Sequence, residues 1–220
     1  MGADAAGDPR GGPVTPTFAA RPGWAKRLIP DRVVRRQASR GATIQLTFDD
    51  GPDPETTPGV LDRLEEYGLR ATFFLVGNRV ARAPHVVRRI REAGHVLGNH
   101  TFSHAVPSYF STRAAWREVA TCQRIVAEAA GAAPTLFRPP LGRLTPGLVA
   151  AAWAHGLAVT NWSLDSGDWQ CRSAEDADRC ARETLDRIRP GDILLFHDDH
   201  PYIGRILDVV LPVVLGSGPA

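Results

Sequence analysis

Cysteine is scarce in this chain of 220 residues: Cys122, Cys171 and Cys180 are all it has. An odd number cannot all pair, and no two stand as Cys-x-x-Cys, which argues against a disulfide scaffold and against a zinc or redox clip of that type. Three free thiols are expected, with Cys171 and Cys180 closing a loop only in an oxidising compartment. Long hydrophobic runs are missing as well. Ile193 to Phe196 and Val209 to Leu215, the second interrupted by Pro212, fall far short of the ~20 apolar residues that span a bilayer. Met1 to Pro9 carries acids and glycines where a secretory leader has a basic start and an apolar stretch. A cytoplasmic location is therefore expected of the chain as written, and a secreted one if translation starts further upstream. Lys26 is the one lysine among 26 basic residues, a bias that fits a GC-rich genome better than a recognition surface. Aromatic residues do not interleave with the basic ones, so nothing supports nucleic-acid binding.

What remains is ordinary. A chain with 43% hydrophobic and 23% charged residues and a net charge of +2 is neither collagen-like nor wholly disordered. At this length a single domain buries about 70% of its unfolded surface without staples. Charge is unevenly spread, however. Residues 1–42 hold eight basic side chains against three acidic ones, +5, which leaves −3 for the rest. This stretch is rich in Pro, Gly, Ala and Arg, and is expected as a flexible, solvated basic tail. Within it Trp24 to Gln37 has the composition of a short basic helix. Residues 43–220 are expected to form one catalytic domain.

From Thr43 onward, short β-branched and aromatic runs alternate with segments of helical period. Strands are expected at Thr43–Phe48, Arg70–Val76, His95–Asn99, Thr135–Arg138, Leu157–Leu164 and Asp192–Phe196. Helices are expected at Thr57–Tyr67, Val80–Ala93, Arg113–Ala130, Pro146–His155, Ser173–Ile188 and Ile203–Leu215, with Gly68, Gly94 and Gly131 as stops and Ser173 as a cap. Such alternation implies a parallel sheet, and six strands of nearly continuous apolar character favour a closed or nearly closed α/β barrel.

Chemistry-bearing residues collect where these strands end, the rim on which α/β barrels build active sites. Thr47-Phe48-Asp49-Asp50-Gly51-Pro52 puts two acids on a tight turn, where one carboxylate can bind a metal while its neighbour acts as a base; alone, the motif is an ordinary turn. Asn99-His100-Thr101-Phe102-Ser103-His104 places two imidazoles four residues apart, a spacing that suits one divalent ion. With Asp50 they make three protein ligands, which describes a hydrolytic zinc site and equally the facial triad of Fe(II) oxygenases. Phe137-Arg138-Pro139-Pro140-Leu141-Gly142-Arg143 offers an arginine and a rigid turn with backbone N–H groups for an oxyanion. Asp165-Ser166-Gly167-Asp168-Trp169 sets acids beside an aromatic platform, and His197 at the tip of an apolar strand has the place of a general acid. His200 is its nearest competitor.

The five blocks, in this order, resemble the polysaccharide deacetylases of the NodB-homology type, the carbohydrate esterase family 4 that removes N-acetyl groups from chitin oligomers and peptidoglycan. The resemblance runs from Thr43 to just past Phe196. It implies an irregular (β/α) barrel; because the chain stops soon after Leu215, where family members continue into one more strand, that barrel would lack its final strand. It implies Asp49 as base, His197 as acid, and Asp50, His100 and His104 as ligands of a divalent metal, usually zinc. Arg138 would flank the groove and help orient the base, Asp168 would tune the histidine, and Trp169 would form a groove wall. Pro140 and Leu141 belong to the turn whose Leu141 N–H would join the metal in stabilising an oxyanion. The implied reaction is metal-assisted hydrolysis of an acetamide on a carbohydrate, with Asp49 taking a proton from water and His197 giving one to the amine. Leu141 departs from the aromatic residue common at that position, and Asp199-His200-Pro201-Tyr202 lengthens the following loop. These departures leave two alternatives open: a same-fold amidohydrolase for a small amide or formamide, and a relative that binds metal and sugar without turnover.

Overall fold

The computed structural model describes residues 43–106 and 111–216; the expected basic tail, 1–42, lies outside them. Seven strands run through the described chain: β1 (Gln45–Asp49), β2 (Ala71–Leu75), β3 (Val96–Asn99), β4 (Leu136–Phe137), β5 (Ala158–Val159), β6 (Leu164–Asp165) and β7 (Ile193–His197). Between and after them come α1 (Thr57–Glu66), α2 (Gly77–Arg82), α3 (Pro84–Glu92), α4 (Thr112–Ala130), α5 (Pro146–Ala154), α6 (Ala174–Arg187) and α7 (Ile203–Gly216). Every strand pair is parallel, in the order β5-β4-β3-β2-β1-β7-β6. The central strands are buried on both faces, which is why they read as apolar runs rather than as alternation. Phe48 anchors the core, its ring stacked 5.0 Å from Phe73 and 5.8 Å from Phe196. Apolar stripes of α1 (Val60, Leu61, Leu64) and α7 (Ile206, Leu207, Val210, Leu211) close over it.

The order of strands forces the sheet to curl. β5 and β6 are consecutive in sequence yet occupy opposite edges. In a flat sheet the six inter-strand spacings would separate those edges by about 29 Å, whereas the chain from Val159 to Leu164 reaches at most about 19 Å. Hydrogen bonds show how the gap is bridged: Thr160 N–H still donates to Phe137 O on one edge (2.8 Å), and Ser163 N–H already donates to Ile193 O on the other (3.0 Å). The expected irregular barrel is therefore present. The expected strand Leu157–Leu164 is corrected to two short strands, and six strands become seven, because residues 160–163 cross this seam. Among the described residues no strand follows β7.

The expected helix Val80–Ala93 is also two helices. Pro84 has no N–H to donate and pushes its predecessor out of the helical region, and Ala83 sits at φ −132°, ψ 54°. Elsewhere the start and stop signals act as expected: Ser173 Oγ accepts from Asp176 N–H, and Gly131 ends α4 in the left-handed region at φ 69°. All three cysteines are buried free thiols.

Candidate active site

The ends of β1, β3, β4, β6 and β7 bring the five motifs to one rim. At the end of β1, Asp49 is buried and Asp50 turns sharply out of the strand at φ 73°. Gly51 must follow: a Cβ there would lie 2.1 Å from the Asp198 carboxylate, which receives the Thr57 hydroxyl at 2.5 Å. Burial first, then the charges of Asp199 and Asp50, outweighs that hydrogen bond and pushes the Asp198 pKa up to about 7.

After β3 the chain folds into a strained loop. Thr101 and His104 have φ of 68° and 54°, conformations that disfavour residues with a Cβ and especially a β-branched one. Specific bonds hold them there. Asn99 Oδ1 receives Thr101 N–H (3.0 Å), Thr101 Oγ1 receives His104 N–H (3.2 Å), and the Glu118 carboxylate on α4 receives Phe102 N–H (3.0 Å), Ser103 N–H (2.8 Å) and the Ser103 hydroxyl (3.0 Å). His100 Nδ1 meets the Arg138 carbonyl at 2.7 Å. A carbonyl only accepts, so Nδ1 carries a proton, and in the neutral ring that a metal ligand requires, Nε2 has the lone pair.

That lone pair faces Asp50. Asp50 Oδ1 lies 3.4 Å from His100 Nε2 and 3.1 Å from His104 Nε2, and one ligand atom from each of these three residues falls within 4.8 Å of the others. Asp50 Oδ1 is buried and has no hydrogen-bond donor among the described residues. Burial alone would raise the Asp50 pKa, but the His100 imidazole, with the charges of His104 and His197, holds it well below the usual carboxylate range. Burial and the charge of His100 lower that of His104. A buried, ionised, donor-less oxygen beside two imidazole nitrogens fits a divalent cation, and the N, N, O donor set suits zinc among others.

Arg138 ties Asp49 to the rest of the barrel. The resemblance implies a place flanking the groove; the side chain is fully buried, its guanidinium 4.0 Å from the centroid of Phe74. It donates to Asp49 Oδ1 (2.6 Å), Thr47 Oγ1 (2.9 Å), Thr160 O and Asn161 O (both 3.2 Å). With Oδ1 so committed, Asp49 Oδ2 is left 3.6 Å from His100 Nε2, beside the candidate metal position.

On the opposite side His197 ends β7. Asp168, wholly buried, accepts His197 N–H (2.7 Å) on one oxygen, and His197 Nδ1–H (2.8 Å), Ser166 Oγ–H (3.1 Å) and Trp169 N–H (2.9 Å) on the other. Burial alone would depress the His197 pKa; the Asp168 hydrogen bond and charge, with those of Asp49 and Asp50, push it up to about 10. His200 is not part of this pair, since its Nδ1 accepts from Tyr202 N–H. The rim carries exposed apolar side chains in Leu141 (54%) and Trp169 (49%), while Pro140 is buried in the short 3₁₀ turn that holds Leu141 at φ 56°. Thr47 and Asn99 stand in the quoted motifs without a role, and Asp198 next to His197 has one only through its burial against Thr57. Glu118 carries no signal in the sequence.

Comparison with known proteins identifies the relatives of this fold. A family model described as polysaccharide deacetylase matches residues 36–160. A chitooligosaccharide deacetylase of Bradyrhizobium sp. is 39% identical, over 79% of this chain and 80% of its own length. The peptidoglycan-N-acetylglucosamine deacetylase PgdA of Listeria monocytogenes is 34% identical over 88% of this chain, which spans 41% of that larger protein. Among solved structures, the peptidoglycan deacetylase PdaC of Bacillus subtilis superposes with a TM-score of 0.74 at 31% identity, covering 81% of this chain and 86% of the other. The chain belongs to the polysaccharide deacetylase family.

Proposed function

We propose that the protein is a metal-dependent hydrolase that removes acetyl groups from an N-acetylated amino sugar within an oligosaccharide or polysaccharide. The observation that carries this reading is the convergence of Asp50, His100 and His104 on one position, with Asp49 and His197 supplied from different strands beside it. Asp50 Oδ1 and the two Nε2 atoms would hold the ion, zinc by preference. A divalent ion there supplies Lewis acidity and lowers the pKa of bound water. The chain's own groups do the rest. Asp49, with Oδ1 fixed by Arg138, has Oδ2 free to accept a proton from the attacking water. His197, protonated at neutral pH through Asp168, is charged to deliver a proton to the departing amine. Leu141 and Trp169 offer apolar surface to a sugar ring at the rim.

The test is acetate release from N-acetylglucosamine oligomers in the presence of zinc. Release that chelation abolishes and that Asp49→Asn removes is the expected result. Hydrolysis of small amides alone, or metal and sugar binding without any product, overturns the reading.

A further inference from the structure

A cleft of about 320 Å³ opens from the candidate metal position and is lined by Asp50 and His104 at its inner end and by Asn78, Arg79, Arg82 and Ser103 further out. Its inner wall is accounted for by the proposed chemistry, but its outer wall is not. Arg79 and Arg82 both project from α2, three residues apart and so on one face of the helix. Their circumstances differ. Arg79 donates to the Asp199 carboxylate at 2.7 Å, which fixes its guanidinium between α2 and the loop after β7. Arg82 is exposed and has no acidic partner among the described residues. The nearby carboxylate of Glu118 is occupied by Ser103 and its neighbours. The outer end of the cleft thus carries two guanidinium groups against one carboxylate, and a cation at the inner end would add to the same field.

We propose that this outer end receives a carboxylate of the substrate strand, so that the protein acts preferentially on acidic N-acetylated glycans of the peptidoglycan type over neutral oligomers of the chitin type. The inference rests on the deacetylase reading of the adjoining site and narrows its substrate class. A guanidinium presents its donors in a planar fork that matches a carboxylate, and a charge-assisted pair of this kind is stronger than a neutral hydrogen bond. Arg79, held by Asp199, is preorganised, and Arg82 brings the uncompensated charge. The carboxylate can sit on an ether substituent of the sugar or on a peptide attached to it; both offer the same group.

The experiment compares three probes of equal glycan length: a neutral N-acetylglucosamine oligomer, an oligomer alternating with N-acetylmuramic acid whose carboxyl is free, and the same oligomer with that carboxyl amidated by an acidic peptide. The full chain with zinc is assayed for acetate, and its Asp49→Asn variant is titrated with each probe calorimetrically. The expected result is a preference of at least tenfold for one or both acidic probes, narrowing as salt rises. Arg82→Glu should cut the acidic-to-neutral ratio about tenfold, Arg82→Lys, which keeps the charge but not the fork, should cut it less, and Arg91→Glu, the same charge change on an exposed residue away from the cleft, should leave it alone. Preference for the free sugar acid alone, or for the peptide-bearing probe alone, identifies the source of the carboxylate and supports the proposal either way. A wild-type ratio near one, or a ratio that Arg82→Glu does not move, overturns it. Acetate released from none of the probes, with an Arg82-dependent binding preference intact, removes the deacetylase reading and supports the carboxylate-binding role of the cleft alone.

Discussion

Two acids of the same rim, Asp50 and Asp168, have opposite surroundings. Asp168 receives four hydrogen bonds and is saturated; Asp50 Oδ1 is just as inaccessible and receives none. The first arrangement is complete as it stands and does its work on a neighbour, setting the proton affinity of His197. The second is incomplete, and a buried anionic oxygen left without donors is tolerable only if something positive occupies the space it faces. Under the proposed function the comparison separates a residue that positions from a residue that binds, although both are carboxylates at strand ends.

The sharpest way to break that contrast is at Asp50 itself. Asp50→Ala is expected to abolish zinc uptake in a metal titration and to lower acetate release by about 10³-fold or more, because the ion's hydrolytic role goes with it. Asp49→Asn should cost a similar factor in rate while zinc still binds; an Asp50→Ala protein that takes up zinc like the wild type would end the distinction.

Asp168→Asn probes the saturated side. It is expected to lower kcat by roughly 10²-fold, the scale of a general acid–base contribution. It should also move the alkaline limb of the pH–rate profile from near pH 10 towards neutral, because His197 loses the partner that raises its pKa to about 10. The sign for stability follows the same shift. His197 binds its proton more tightly folded than unfolded, where the value is near 6.5. The stabilisation is therefore complete below about pH 6.5 and fades as pH rises towards 10, which melting curves of wild type and Asp168→Asn across that range would trace.

Glu118→Gln tests the loop that presents the histidines. It keeps the size but weakens the hydrogen bonds to residues 102 and 103, and zinc affinity should drop by roughly tenfold, as for other groups that orient metal ligands. Leu141→Ala trims only exposed apolar surface, so a KM increase of about two- to threefold with kcat unchanged is expected from steady-state kinetics. At the far end of the scale, Arg124 and Glu128 form an exposed i,i+4 pair; Arg124→Ala should change unfolding free energy by no more than about 0.5 kcal/mol in denaturant titration and leave activity as it was.

The sequence was most readable where chemistry follows directly on a strand. Asp49 and Asp50 stand side by side, and His100 and His104 four residues apart, each pair directly on an apolar run, so strand and site can be read together. Legibility failed wherever a long-range partner decided the outcome. Nothing in the composition around Glu118 announces that it secures a loop fifteen or sixteen residues upstream, since it looks like any acid on an amphipathic helix. The stretch Leu157 to Leu164 reads in sequence as one strand; only the opposite edge of the sheet makes it two. Pro84 did mark the break between α2 and α3, but the apolar stripe running through it hid the signal.

The seam crossed by residues 160–163 has a consequence for how the molecule would fail. Thr160 and Asn161 lend their carbonyls to Arg138, which grips Asp49, so the stretch that zips the barrel shut also clamps the proposed base. Parting those edges would disarm the protein before the core phenylalanines felt any solvent. Under mild heat or denaturant, loss of turnover should run ahead of loss of tertiary signal, and catalysis itself would serve as the gauge of closure.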